Sequence, residues 1–328
     1  MLTKRQNFLE TIKGGNPDRF VKQYEFIQSI TGLPMQKHHP RVERGKMVQN
    51  AWGVWIQFPE NVPGPFPVHD EEHKVVKDIT KWRDVVKAPN VVFPAEEWAE
   101  AIENAESIDR NEVYASIMMA PGIFDQLHYL MGVDDALLNL YIEPEATKEL
   151  IEYIADYEIA YAAELIKYLK PDLLFHHDDW GSQISSFMSP EMFEEFFVPA
   201  YKRVYGFHKA NGVEIIVHHS DSYAANLVPS MIDIGIDVFQ GCLTTNNVPE
   251  LVKKYGKQIS FMGDINSGVV DMENWTQELI RKEVERACRT NGKLYFIPCG
   301  TIGGPYSTYP GVYEAISEEI DRMTIEMF

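Results

Sequence analysis

The sequence predicts an α/β fold, a (β/α)8 TIM-type barrel with an N-terminal helix and a long insertion after the second strand. Three observations point there. Short β-branched apolar runs alternate with longer amphipathic stretches, as a parallel sheet flanked by helices requires. Eight such runs can be counted, and no G-x-G-x-x-G or G-x-x-x-x-G-K-[ST] loop follows any of them, which argues against an open nucleotide-binding sheet. A length of 328 residues also suits one such barrel, so residues 1–328 are expected to form a single domain.

The expected strands are 20–26, 51–57, 113–118, 173–178, 214–219, 236–240, 259–263 and 294–299. Between them, 144–170 reads as a helix from Leu150, Ile154, Tyr157, Tyr161 and Leu165, spaced three or four apart, and Pro171 closes it. Ser189-Pro190-Glu191 opens another helix with a capping serine, a proline at the first position and an acid in the first turn. Stretches 249–255, 275–289 and 310–327 read similarly. The irregular segment 58–112, with Pro59, Pro63, Pro65 and Pro67, is expected to cap the barrel mouth.

Asp and Glu number 49 against 30 Lys and Arg, a net charge of −19. That argues against nucleic acid or an anionic membrane as a partner. No apolar run is long enough to span a bilayer. Three cysteines and the absence of a secretory block in the first fifteen residues predict a reducing, cytoplasmic setting.

Active sites of such barrels lie at the C-terminal strand ends. Ionisable residues concentrate there on the fourth strand, His176-His177-Asp178-Asp179, and on the fifth, His218-His219-Ser220-Asp221; the eighth adds Cys299. Side-chain alternation puts Phe175, His177 and Asp179 on one face, and Val217, His219 and Asp221 on one face. His219, Asp221 and Cys299 are expected to hold zinc, since imidazole, carboxylate and thiolate are ordinary zinc ligands. The competing reading makes Cys299 a buried small hydrophobe and His219 a satisfied barrel histidine. His177 and Asp179 are the expected acid/base pair, because four consecutive ionisable groups are costly to bury unpaired. Glu25, Trp55 and Tyr306 are the expected substrate contacts.

Several segments, in order, resemble the uroporphyrinogen decarboxylase superfamily: TKRQNFLETIKGGNPDRF, DDWGSQISSFMSPEMFEEFFVPAYKRV, VHHSDSYAANLVPSMIDIGIDVFQ, FMGDINS and CGTIGGPYSTYPGVYEAISEEI. The resemblance implies a barrel. Its decarboxylases bind a polyanionic tetrapyrrole and carry arginines just after the first strand; here no arginine falls between Arg19 and Arg41. The sequence is more similar to the cobalamin-dependent methyltransferase branch, whose zinc is held by an H-x-C pair on the fifth strand and a cysteine after the eighth. His219, Asp221 and Cys299 match that spacing, with Asp221 in place of the first cysteine. Losing one thiolate makes the metal a stronger Lewis acid, suited to a methyl group on oxygen. The resemblance thus implies transfer of a methyl group from a small methylated substrate to cob(I)alamin. The sequence has no D-x-H-x-x-G motif of its own, so the cobalamin is expected on a separate corrinoid protein. The alternatives are methyl transfer from a methylcorrinoid to tetrahydrofolate or a thiol, and decarboxylation.

Overall fold

The structure, a computed structural model, describes residues 1–39, 41–62, 64–301 and 307–328. Its strands are β1 (Ile27–Ser29), β2 (Met47–Gln49), β3 (Trp55–Gln57), β4 (Phe66–Pro67), β5 (Tyr114–Met119), β6 (Leu173–His177), β7 (Ile215–His219), β8 (Val238–Cys242), β9 (Ser260–Ile265) and β10 (Phe296–Gly300). Seven of them form one all-parallel sheet in the order β1-β5-β6-β7-β8-β9-β10.

That sheet curls. Ile27, Tyr114, Leu173, Val217, Val238, Met262 and Ile297, one from each of the seven strands, pack into a single apolar cluster. A flat sheet would hold the first and last strands far apart. The helix Lys4–Lys13 closes the N-terminal end of the cluster with Phe8, Leu9 and Ile12. It begins at a Thr3–Gln6 capping box and ends at Gly14, whose left-handed φ of 70° an L side chain would strain. The outward strand residues, such as Leu174, Ile216 and Phe239, pack in a second cluster with helical residues such as Ile154 and Tyr201.

The expected helices form at Pro144–Leu169, Pro190–Phe196, Val248–Tyr255, Gln277–Asn291 and Val312–Met327. Two expected strands differ. Residues 20–26 are buried in part but make turns, because Gln23 sits at φ 50° and Ile27 N–H bonds back to the Tyr24 carbonyl. Extended pairing starts only at β1. Of residues 51–57, only 55–57 is a strand, and it pairs antiparallel with β2 and β4 in a separate three-stranded sheet. Asn50 folds the intervening residues into a turn, its side-chain oxygen accepting from Trp52 and Val54 N–H. The parallel sheet therefore has seven strands among the described residues. The irregular segment 58–112 lies between β3 and β5 and contributes only β4 to the three-stranded sheet, whose other two strands precede it.

Candidate metal centre

Alternation along β6 and β7 sorts the two histidine pairs. Leu173 and Phe175 point inward, so His177 does too; Ile215 and Val217 point inward, and so does His219. The register sets His177 directly beside His219. Just past β6, Asp179 joins them. One ligand atom from each of His177, Asp179 and His219 lies within 4.8 Å of the others. Asp179 is fixed in turn by the Asp221 N–H, which donates to its Oδ1 at 3.0 Å.

Both imidazoles are oriented from behind. His219 Nδ1 is hydrogen-bonded to Gln240 Oε1, and Gln240 Nε2 donates to the Tyr24 hydroxyl at 2.9 Å. His177 Nδ1 faces Asp125 Oδ2 at 3.4 Å, long for a hydrogen bond but within ion-pair reach. The other Asp125 oxygen meets His128 Nε2 at 3.1 Å. With each Nδ1 turned away, Nε2 of each ring is left for a ligand, an arrangement typical of metal-binding histidines.

The electrostatics are those of a buried acidic site. Burial, then Asp125 and Asp221, push the Asp179 carboxyl up to about 7. Burial, opposed by His177, raises Asp221 to about 6. Burial and the His177 charge lower His219 to about 3, so its ring is neutral and its lone pair free. Burial lowers His177, but its ion-pair contact with Asp125 and the charge of Asp179 outweigh that and bring it to about 9. A cation entering here meets carboxylates that burial leaves poorly solvated, and it displaces the proton of His177.

The outward members of the two runs do other work. His176 bonds the Tyr205 hydroxyl at 2.7 Å and Glu158 at 3.3 Å, and Tyr205 bonds His218 Nδ1 at 2.8 Å. The fully buried Asp178 accepts from the Phe124 and Asp125 amides at 2.9 and 2.7 Å and from the Tyr201 hydroxyl. These groups tie β6 and β7 to the helices Ile123–Met131 and Val198–Ala210.

The other expected site residues are dispersed. Asp221 borders the cluster through its backbone. Cys299 is fully buried in the apolar interior, 3.9 Å from Gln23 Oε1, and burial pushes its thiol up. Neither belongs to the group of mutually close ligand atoms, so the structure joins His219 to His177 and Asp179 instead. Glu25 caps its own turn, accepting from Lys22 N–H at 3.0 Å. Trp55 lies in the small antiparallel sheet, edge-on to His73 at 5.5 Å. Tyr306 lies outside the described residues. Sequence reasoning missed Asp125 and the orienting role of Gln240; the one local sign was Asp125 three residues before His128 on a helix.

A candidate metal centre at the strand ends of a curled, helix-flanked parallel sheet defines the class of this molecule, a barrel-like α/β protein. Residues 47–319 match the uroporphyrinogen decarboxylase (URO-D) family, and the chain belongs to it. The solved structure of a methyltransferase from Methanosarcina mazei is similar over 98% of this chain and 99% of that one, with a TM-score of 0.65 at 15% identity, a likeness of fold. A chitinase from Rhizomucor miehei matches over 71% of this chain and 88% of its own at 9% identity, and its TM-score of 0.37 carries no argument. Comparison with curated protein sequences gave no match. Among the described residues no helix is long and apolar enough to cross a membrane.

Proposed function

We propose that the chain is a metal-dependent methyltransferase on a (β/α)8-type frame, one domain over residues 1–328. In this reading it works in the cytoplasm with a separate corrinoid protein and moves a methyl group from a small methylated, for example methoxylated, compound to cob(I)alamin. Neither nucleic acid nor a membrane takes part. The observation that carries the reading is the convergence of His177, Asp179 and His219 at the mouth of a URO-D family fold. The end-to-end likeness to a methyltransferase fold supports it.

The residues fit a divalent ion such as zinc: two imidazoles with free Nε2 atoms and a buried carboxylate in mutual reach are an ordinary ligand set. When bound, that ion supplies Lewis acidity toward the oxygen that loses its methyl group. Asp125 and Gln240 hold the imidazoles in place. Asp221, whose backbone N–H holds Asp179 and whose own carboxyl burial raises to about 6, is the group assigned to hold a proton for the departing oxygen. Met118 and Phe175, neighbours in the β5–β6 register, give the mouth an apolar wall; Met118 is 44% exposed despite sharing the inward face with Tyr114. Such a wall suits the body of a methoxylated ring.

The decarboxylase alternative needs guanidinium groups for a polyanionic substrate. Arg5, Arg110, Arg203, Arg286, Arg289 and Arg322 are instead paired with carboxylates outside the cluster. Transfer from a methylcorrinoid to tetrahydrofolate or a thiol uses the same centre and is separated by the choice of substrate. The test is metal analysis of the purified protein together with cobalamin absorbance spectra during incubation with methoxylated and methylamine compounds. One metal per chain and conversion of cob(I)alamin to methylcobalamin are expected. Turnover without bound metal would remove the metal centre, and unchanged spectra with every compound would remove methyl transfer.

A further inference from the structure

β6 ends at His177, and so does its ladder with β7. Asp179, two residues further on, takes its place in the cluster from whatever holds residues 178 and 180. One side chain touches both. His218, the outward residue just before His219, donates from Nε2 to the Asp178 carbonyl at 3.1 Å. A carbonyl only accepts, so that nitrogen carries the hydrogen. The carbonyl belongs to the peptide that joins Asp178 to Asp179. The Asp178 N–H, which donates to the His219 carbonyl at 3.1 Å, fixes only the peptide before it. The face of the His218 ring stacks on the Trp180 indole, with centroids 3.9 Å apart at 29°.

The ring is itself fixed. The Tyr205 hydroxyl spans the outward pair, 2.8 Å from His218 Nδ1 and 2.7 Å from His176 Nδ1, and His176 reaches on to Glu158. His176 and His218 are register partners, as are His177 and His219 one residue later. One hydroxyl on the helix Val198–Ala210 thus clamps, from outside, the two strands whose next residues carry the ligand imidazoles. His176, Asp178, Trp180 and His218 are all fully buried, so a lost partner leaves a polar group bare.

We infer that His218 is a positioning residue for Asp179: its ring sets the Asp178–Asp179 peptide and so aims the Asp179 carboxylate at the two imidazoles. The inference rests on the reading of His177, Asp179 and His219 as a metal centre. The hydrogen on Nε2 separates this role from the filling of space. Without it the buried Asp178 carbonyl loses its donor, and the peptide turns to find another.

Three variants test it: His218→Leu, His218→Gln, whose amide N–H can stand in for Nε2–H, and Tyr205→Phe. The metal-stripped full chain is titrated with Co(II), whose visible bands report ligand number and geometry. His218→Leu should lose at least about tenfold in Co(II) affinity, as removal of a group that orients a metal ligand does, and its bands should change. His218→Gln should stay within about threefold of the wild type with its bands unchanged. Wild-type affinity and bands in His218→Leu, or in Tyr205→Phe where the first does not fold, overturn the inference, however far the thermal midpoint moves. A Gln variant as weak as the Leu variant does the same. Crystal structures of the metal-free proteins give a reading that needs no metal: Asp179 should leave the Asp221 N–H in His218→Leu and keep it in His218→Gln. A wild-type chain that binds no Co(II) removes the metal centre, and the crystals then decide alone, an unmoved Asp179 in His218→Leu, or in Tyr205→Phe where that replaces it, overturning the positioning role.

Discussion

His177 and His219, paired in register on β6 and β7, stack their imidazoles with centroids 4.4 Å apart at 25°. Neighbouring parallel strands place inward residues side by side at one height, so two ring nitrogens reach one point without any loop arranging them. Asp179 supplies the third donor from the first residues beyond β6.

Removing any of the three should empty the centre. His219→Ala and Asp179→Ala proteins are expected to purify with less than about a tenth of the wild-type metal, since three ligands are the usual minimum for a catalytic zinc. Elemental analysis reads this, and unchanged far-ultraviolet circular dichroism shows the fold intact. Wild-type metal content in both variants would place the ion elsewhere.

Asp125 should matter without touching the metal. It lies between His177 Nδ1 and His128 Nε2 and sets the direction of the His177 ring. Asp125→Asn keeps the shape and removes the charge, and should weaken metal affinity roughly 10–100-fold. Competition with a coloured chelator measures it. Affinity equal to wild type would reduce Asp125 to a packing residue.

Gly122 is required by space alone. Its N–H donates to the His177 carbonyl at 2.7 Å, and an added Cβ would run into the Asp178 side chain, 2.6 Å from Cγ. Asp178 is anchored by two amides and the Tyr201 hydroxyl, so it has little room to yield. Gly122→Ala should cost about 1–3 kcal/mol, by analogy with overpacked cores, read from the urea midpoint. An unshifted midpoint would show that the β6 end gives way.

His208 predicts an acid-sensitive fold. It is fully buried, neither ring nitrogen has a hydrogen-bond partner, and burial lowers its pKa to about 3. An unfolded histidine titrates near ~6.5. Between those values the unfolded chain holds a proton that the native chain does not, so stability falls as pH drops from about 6.5 toward 3. His208→Leu removes this contribution. Its stability relative to wild type should rise by on the order of 2–3 kcal/mol from pH 7 to pH 4, measured by urea unfolding at each pH. Parallel curves would show that His208 takes up no extra proton on unfolding.

The local code was readable along the chain. Alternating runs marked β5 to β10 close to their observed positions, and alternation alone put His177, Asp179 and His219 on inward faces with Val217 and Phe175. The same rule sends His176 and His218 outward into a structural network. Period-two geometry is a property of each strand by itself.

Neighbours across strands were decided elsewhere. The sequence pointed from His219 along its own strand to Asp221 and across to Cys299, but β6–β7 register brought His177, and packing drew Cys299 into the apolar interior. Gln23 turned an apolar run into a bend, and Asn50 folded another out of the main sheet. The orienting groups Asp125 and Gln240 come from a helix and a strand 52 and 21 residues from the histidines they hold. Local periodicity fixes which way each side chain faces; which faces meet depends on register, curvature and burial, and those belong to the whole chain packed at once.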